Sequence, residues 1–116
     1  MIRYSPLALV QLDAIWDYGF GRFGAEQADS YLDSLIEALD EVSNTMFYKG
    51  QRARLVPANM IKDVTTEDIY CFRYRNEVIY FKSVSAVDMD VICILGGRMD
   101  TPNRIKEILS DPLSTI

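Results

Sequence analysis

The chain has 116 residues, a formal net charge of −5, two cysteines and no histidine. That length is one domain, residues 1–116, able to bury roughly two-thirds of its unfolded surface, and a composition 49% apolar and 25% charged is globular and not disordered. Without histidine or a CxxC pair, most zinc sites and every Ser-His or Cys-His nucleophile system are excluded, and net acidity argues against general nucleic-acid binding.

The opening MIRYSPLALVQLDAIW is broken by Asp13 and has no small-residue cleavage site, so it does not read as a signal peptide. No apolar run approaches the roughly 18 to 20 residues of a membrane span, and a cytoplasmic protein is expected. Within it IRYS is a short strand, and Ser5-Pro6 reads as an N-cap followed by the first helical residue. From Leu7 the apolar positions Leu9, Leu12, Ile15/Trp16 and Phe20 recur at three and four residues, with Gln11, Asp13 and Asp17 opposite. This amphipathic helix is expected to end in the glycine-rich GFGRFG.

A second helix begins near Ala25. Ala28, Tyr31, Leu32, Leu35, Leu39, Val42 and Met46 line one face, and Asp29, Asp33, Glu37 and Asp40 the other. The short connection predicts an antiparallel helical hairpin. Residues 49–68 show no clear period and read as a loop with one short strand near residues 54–57.

The period then changes to two. IYCFRYR puts Tyr70, Phe72 and Tyr74 on one face and Cys71, Arg73 and Arg75 on the other. VIYFKSV sets Val78, Tyr80 and Lys82 against Ile79 and Phe81, with Asn76-Glu77 as the tight turn between the two strands. VICIL is apolar on both faces and predicts a central strand. Thr101-Pro102 opens a short C-terminal helix. Strand, two helices, three antiparallel strands and a helical tail make a two-layer α+β domain, the hairpin packed on one face of a small sheet.

Few residues carry chemistry. CILGGRMD matches neither phosphate-loop spacing, so Gly96-Gly97 reads as the end of the last strand, with room for a bulge or a close backbone approach. Cys71 and Cys93 sit in apolar runs and read as buried reduced thiols. The carboxylates of the helices read as solvated faces. Asp63, Glu67 and Asp68 lack EF-hand spacing, and no cofactor or metal is expected. Arg73 and Arg75, on one strand face, are candidates for binding a partner.

YSPLALVQLDAIWDY…RFGAEQADSYLDSL followed by YCFRYRNEVIYFK…DVICILGGRMD resembles the ParE toxins of the RelE/ParE superfamily of type II toxin-antitoxin systems. The likeness runs from about Ile2 to Ile105, and its markers are IWDY…FG…A…Y, the VIYFK strand and the Arg-Met-Asp tail. The resemblance implies a helical hairpin on a small antiparallel sheet. It also implies a toxin that inhibits DNA gyrase, a type II topoisomerase, by binding it, and that a small ParD-like antitoxin neutralises in a hetero-oligomer. On that reading Arg73, Tyr74, Arg75, Tyr80, Arg98, Met99 and Asp100 would contact the target, and Asp33, Glu37 and Asp40 the antitoxin. Where relatives often carry histidine this chain has Gly96, so no role of that histidine transfers.

Two alternatives stand beside it. The RelE branch cuts messenger RNA in the ribosome with lysines, arginines and a C-terminal tyrosine. Lys49, Arg52, Arg54, Lys62 and Arg73 would supply the charge, but no aromatic residue follows Phe81. A folded adapter without toxicity is the other.

Overall fold

A computed structural model describes residues 1–56, 68–85 and 88–96. Strand β1 (Ile2–Tyr4) leads into helix α1 (Pro6–Phe23). Ser5 caps the helix as its position predicts: its hydroxyl accepts the Ala8 N–H at 3.0 Å, and Pro6 occupies the first turn. Gly19 and Gly21 do not end α1, because a lone glycine costs a helix only about 1 kcal/mol. It stops at Gly24, whose φ of +90° a side chain would disfavour. Helix α2 (Ala25–Thr45) starts at the next residue, so one glycine makes the hairpin turn. The Trp16 indole N–H donates to Asp29 at 2.7 Å, which ties the two helices side by side.

Three short strands follow: β2 (Phe47–Tyr48), β3 (Gln51–Arg52) and β4 (Arg54–Leu55). The first two form a hairpin that the expected loop did not contain. Its turn is Lys49-Gly50, both at positive φ, the primed geometry that suits the twist of paired strands. Then come β5 (Ile69–Tyr74), β6 (Glu77–Ser83) and β7 (Met89–Gly96). The main sheet has the order β1-β7-β6-β5-β4, antiparallel except that β1 runs parallel to β7, with Ile2 opposite Met89. Among the described residues β7 is thus interior, as its two-sided apolar pattern predicts, and six of its eight residues are buried, all but Ile92 and Gly96.

The β5–β6 turn sits one residue earlier than expected. Tyr74 pairs with Glu77, and Arg75, not Asn76, takes the positive φ. Between β6 and β7, Tyr80 faces Cys93 while Phe81 faces Val91, so Ile92 is the extra residue of a bulge. The bulge lies inside β7 and not at its glycine end; Gly96 still pairs with Glu77. Ser5 reaches this bulge, donating from its hydroxyl to the Ile92 carbonyl at 2.6 Å.

Leu35, Ala38, Leu39 and Val42 of α2 pack with Phe72, Tyr74, Ile79, Phe81, Val91 and Ile94 of the sheet to form the main core. On α1 the inward residues are Ala8 and Leu12, whereas Leu9 and Phe20, expected inward, lie about half exposed. Gln11, expected outward, turns to the sheet and accepts the Ile94 N–H at 2.6 Å. The opposite face of the sheet holds a second buried cluster of Val56, Ile69, Tyr80, Cys93 and Leu95. Cys71, Tyr80 and Cys93 lie in one row across β5, β6 and β7. Two strand spacings, about 9.6 Å, separate the thiols, beyond the reach of a disulfide. Cys93 is buried as expected, and Cys71 is only half-buried.

Candidate functional site

The surface richest in chemistry lies where α2 passes the β5–β6 turn. Because Tyr31, Ser34 and Glu37 follow one another at three residues, they fall along one side of α2. The positive φ at Arg75 directs the chain so that its guanidinium lies over the rings of Tyr31 and Tyr74, 5.4 and 5.7 Å from their centroids. Tyr31 donates a short hydrogen bond to the Glu77 carboxylate. Burial, then that bond to an anion, pushes the Tyr31 hydroxyl well above its ordinary range. On the far side Tyr48 meets the Tyr74 ring edge-on at 5.7 Å, and Lys49 Nζ sits 5.5 Å above Tyr48.

Two adjoining hollows flank this cluster. The larger, an open groove of about 830 Å³, lies between the hairpin and the β5–β6 turn and is walled by Ile15, Tyr18, Phe23, Ala28, Tyr31 and Arg75 among others. The smaller, about 340 Å³, is walled by Ser34, Glu37, Tyr48, Lys49, Tyr74 and Arg75. Tyr18 and Phe23 are 64% and 62% exposed, which leaves two large aromatic side chains at the mouth of the groove in water.

The residues expected from sequence are dispersed. Asp33, Glu37 and Asp40 are exposed along α2. Arg73 is exposed, and its Nε donates to the Arg75 carbonyl at 3.0 Å. Arg75 does not share its face: Arg73 lies with Cys71 on the far side of the sheet, whereas Arg75 stacks on the helix-side tyrosines. Tyr74 and Tyr80, expected as apolar anchors, are 2% and 3% exposed and belong to the two cores, so neither projects as an anchor, although Tyr74 forms part of the wall of the smaller hollow. Arg98, Met99, Asp100, Gly97, the C-terminal helix, Lys62, Asp63 and Glu67 lie outside the described residues.

The basic residues of the RNA-cleaving alternative do not converge among the described residues. Lys49 lies on the helix side with Tyr48, while Arg54, opposite Cys71, and Arg73 lie on the other face. Reasoning from sequence missed Tyr31, Ser34, Tyr48 and Glu77 because each read as an ordinary helix or strand position. Arg75 following the alternating aromatic residues Tyr70, Phe72 and Tyr74 is the one signal that pointed toward this cluster.

A two-helix hairpin on a mixed, mainly antiparallel sheet is the architecture of a known toxin class. The chain is similar in structure to a chain of the chromosomal ParDE TA system from P. aeruginosa, with a TM-score of 0.61 and 15% sequence identity over 82% of this chain and 92% of the other. A family model described as the ParE toxin of type II toxin-antitoxin system, parDE, matches residues 2–101. The protein therefore belongs to the ParE toxin family. No curated protein matches it in sequence. Among the described residues no helix is long and apolar enough to cross a membrane.

Proposed function

We propose that this protein is the toxin of a type II toxin-antitoxin pair that inhibits DNA gyrase by binding it, without catalysing a reaction, and that a cognate antitoxin neutralises it in the cytoplasm. The family match over residues 2–101 carries this reading. The separation of Lys49 from Arg54 and Arg73 supports binding over RNA cleavage, because phosphate chemistry needs cations gathered around one scissile bond. The exposed row Asp33, Glu37 and Asp40 suits basic side chains on an antitoxin segment. On the target side, Arg73, Arg75, Arg98 and Asp100 remain the charged candidates and Met99 the apolar one.

Expression of the chain alone, with and without the product of a short adjoining gene, tests the reading. Growth arrest with gyrase-dependent double-strand breaks, relieved by the second protein, is the expected result. Codon-specific transcript cuts at low toxin concentration would establish the endonuclease instead, and harmless expression the adapter. Replacing Asp33, Glu37 and Asp40 by serine is expected to weaken the complex most at low salt. Unchanged affinity and salt dependence would reduce that row to a solvated face.

A further inference from the structure

We propose that the sheet face turned away from the two helices is a phosphate-binding surface, which meets the DNA backbone once the chain is seated on the topoisomerase that holds that DNA. The inference rests on the gyrase reading above and adds a nucleic-acid contact to it.

Alternation along the strands decides which side chains share this face. Its buried cluster contains Val56, Ile69 and Tyr80. Arg54, Arg73 and Lys82 stand an even number of residues from these three, so they project on the same side. Asp90 lies opposite Lys82, and Arg3 opposite Asp90. All four basic residues are exposed. Arg3 takes both oxygens of Asp90 at 2.7 Å, which leaves Arg54, Arg73 and Lys82. Among the described residues none of these three stands in an ion pair.

The three cations are close enough to act together. Arg54 pairs with Cys71, and Arg73 follows two residues on, a diagonal of about 7–8 Å. Lys82, opposite Ile69, lies about 12 Å from Arg54 and about 14 Å from Arg73, at about 3.4 Å per residue and 4.8 Å per strand. The charge of Arg54 reaches this face: burial pushes the Cys71 thiol up, and Arg54 works against that rise. Arg73 Nε donates to the Arg75 carbonyl at 3.0 Å, which holds the guanidinium without neutralising it. Like charges so placed repel one another, and an anion laid across them removes the repulsion. Planar guanidiniums suit phosphate in particular.

The distribution of charge selects the occupant. Helix α2 carries six carboxylates and no lysine or arginine, and it packs on the opposite side of the sheet. The domain is therefore acidic on its helix side and basic on the other. A DNA strand presents a charge about every 3.4 Å, so one strand serves cations spread over about 14 Å. A net charge of −5 gives the chain no attraction to free DNA at long range. The target has to bring the two together, with α2 turned away from the phosphates.

The test measures the affinity of the intact chain for gyrase with and without a bound DNA duplex, at low and moderate salt. The duplex is expected to tighten binding about tenfold. Arg54→Gln, Arg73→Gln and Lys82→Gln combined are expected to abolish that gain and to leave affinity for DNA-free gyrase unchanged. Each single variant is expected to lower the salt slope of the DNA-dependent gain by about one. Arg22→Gln, an exposed cation in the last turn of α1, is expected to change nothing. Melting temperatures are expected to hold or rise, since the variants remove like-charge repulsion at exposed positions. Arg54→Gln and Lys82→Gln keep the test decisive if Arg73→Gln disturbs its turn.

A duplex that leaves the affinity of the unaltered chain unchanged overturns the inference while the gyrase reading stands. A triple variant that loses as much affinity for DNA-free gyrase as for the DNA complex overturns it in favour of an acidic patch on the target protein. Head-to-tail association of the chain alone, dispersed by the triple variant, overturns it in favour of a second copy. Transcript cleavage that the triple variant abolishes overturns it in favour of RNA. A chain that neither binds nor inhibits gyrase removes the underlying reading, and the inference with it.

Discussion

Removing one hydroxyl, Ser5→Ala, is the sharpest test of how the hairpin is held on the sheet. Ser5 is fully buried, its hydroxyl accepts from Ala8 N–H at 3.0 Å and donates to the Ile92 carbonyl at 2.6 Å. The first bond caps α1 and contributes about 1 kcal/mol. The second serves a carbonyl at the β7 bulge, and a buried polar group left without its partner costs about 1–2 kcal/mol. Alanine keeps the volume of Cβ but offers neither bond, so the expected loss is about 2–3 kcal/mol. With an unfolding entropy near 2.1 cal/mol/K per residue, a chain of this size loses about 4 °C per kcal/mol, or about 10 °C in all.

Urea unfolding is the assay, with the midpoint falling and the slope unchanged. Thr45→Ala serves as the control, since Thr45 bonds the Glu41 carbonyl at an exposed helix end and its loss is expected to cost less than about 0.5 kcal/mol. If Ser5→Ala costs no more than that control, the hydroxyl does not join helix to bulge and the reasoning fails.

Gly21 lies within α1 with nothing within 4 Å of where a Cβ would stand, so Gly21→Ala is expected to stabilise by about 0.5–1 kcal/mol in the same assay. Tyr80, buried in the second cluster, has its hydroxyl pushed up to about 12 by burial, and Tyr4 and Tyr31 are raised also. A folded value above the unfolded 10 stabilises fully below pH 10 and is lost as pH rises through the folded value, so the protein is expected to weaken above pH 10. Tyr80→Phe should flatten part of that alkaline loss, measured by melts from pH 8 to about 12. Arg3 forms a two-bond fork with the nearly buried Asp90, both at 2.7 Å. Arg3→Met should lower the melting temperature, less so in high salt, and a double-mutant cycle with Asp90→Asn isolates the pair.

Much of the architecture is legible in sequence, and the failures have physical causes. The face of α2 could be read because Ala28, Leu35, Leu39 and Val42 recur with charged residues opposite. On α1 the apolar residues surround the helix, so periodicity alone could not choose a face; small Ala8 and the Gln11 bond to β7 decide it. Strands of two residues, β2 and β3, are too short to show any period, and only Gly50 hinted at their turn. Alternation sets Tyr74 apart from Arg73 and Tyr80 apart from Ile79 and Phe81, but it says nothing of what covers each side, and both tyrosines are buried. For the groove, the missing information was three-dimensional: Tyr31 and Glu77 are 46 positions apart and meet only when α2 crosses the β5–β6 turn.

The pairing of Ile2–Tyr4 with residues 89–91 also orders events during synthesis. The first strand made must wait for the last strand of the sheet, and the seat between β1 and β6 stays empty until then. At about 5–20 residues per second the ribosome takes several seconds to make the intervening 87 residues. Contacts so distant in sequence also form slowly. A chain cut short before Met89 therefore lacks the strand that pairs with β1 and takes the bonds of Ser5 and Gln11 from α1, and premature stops should yield an unfolded fragment and not a weakened toxin.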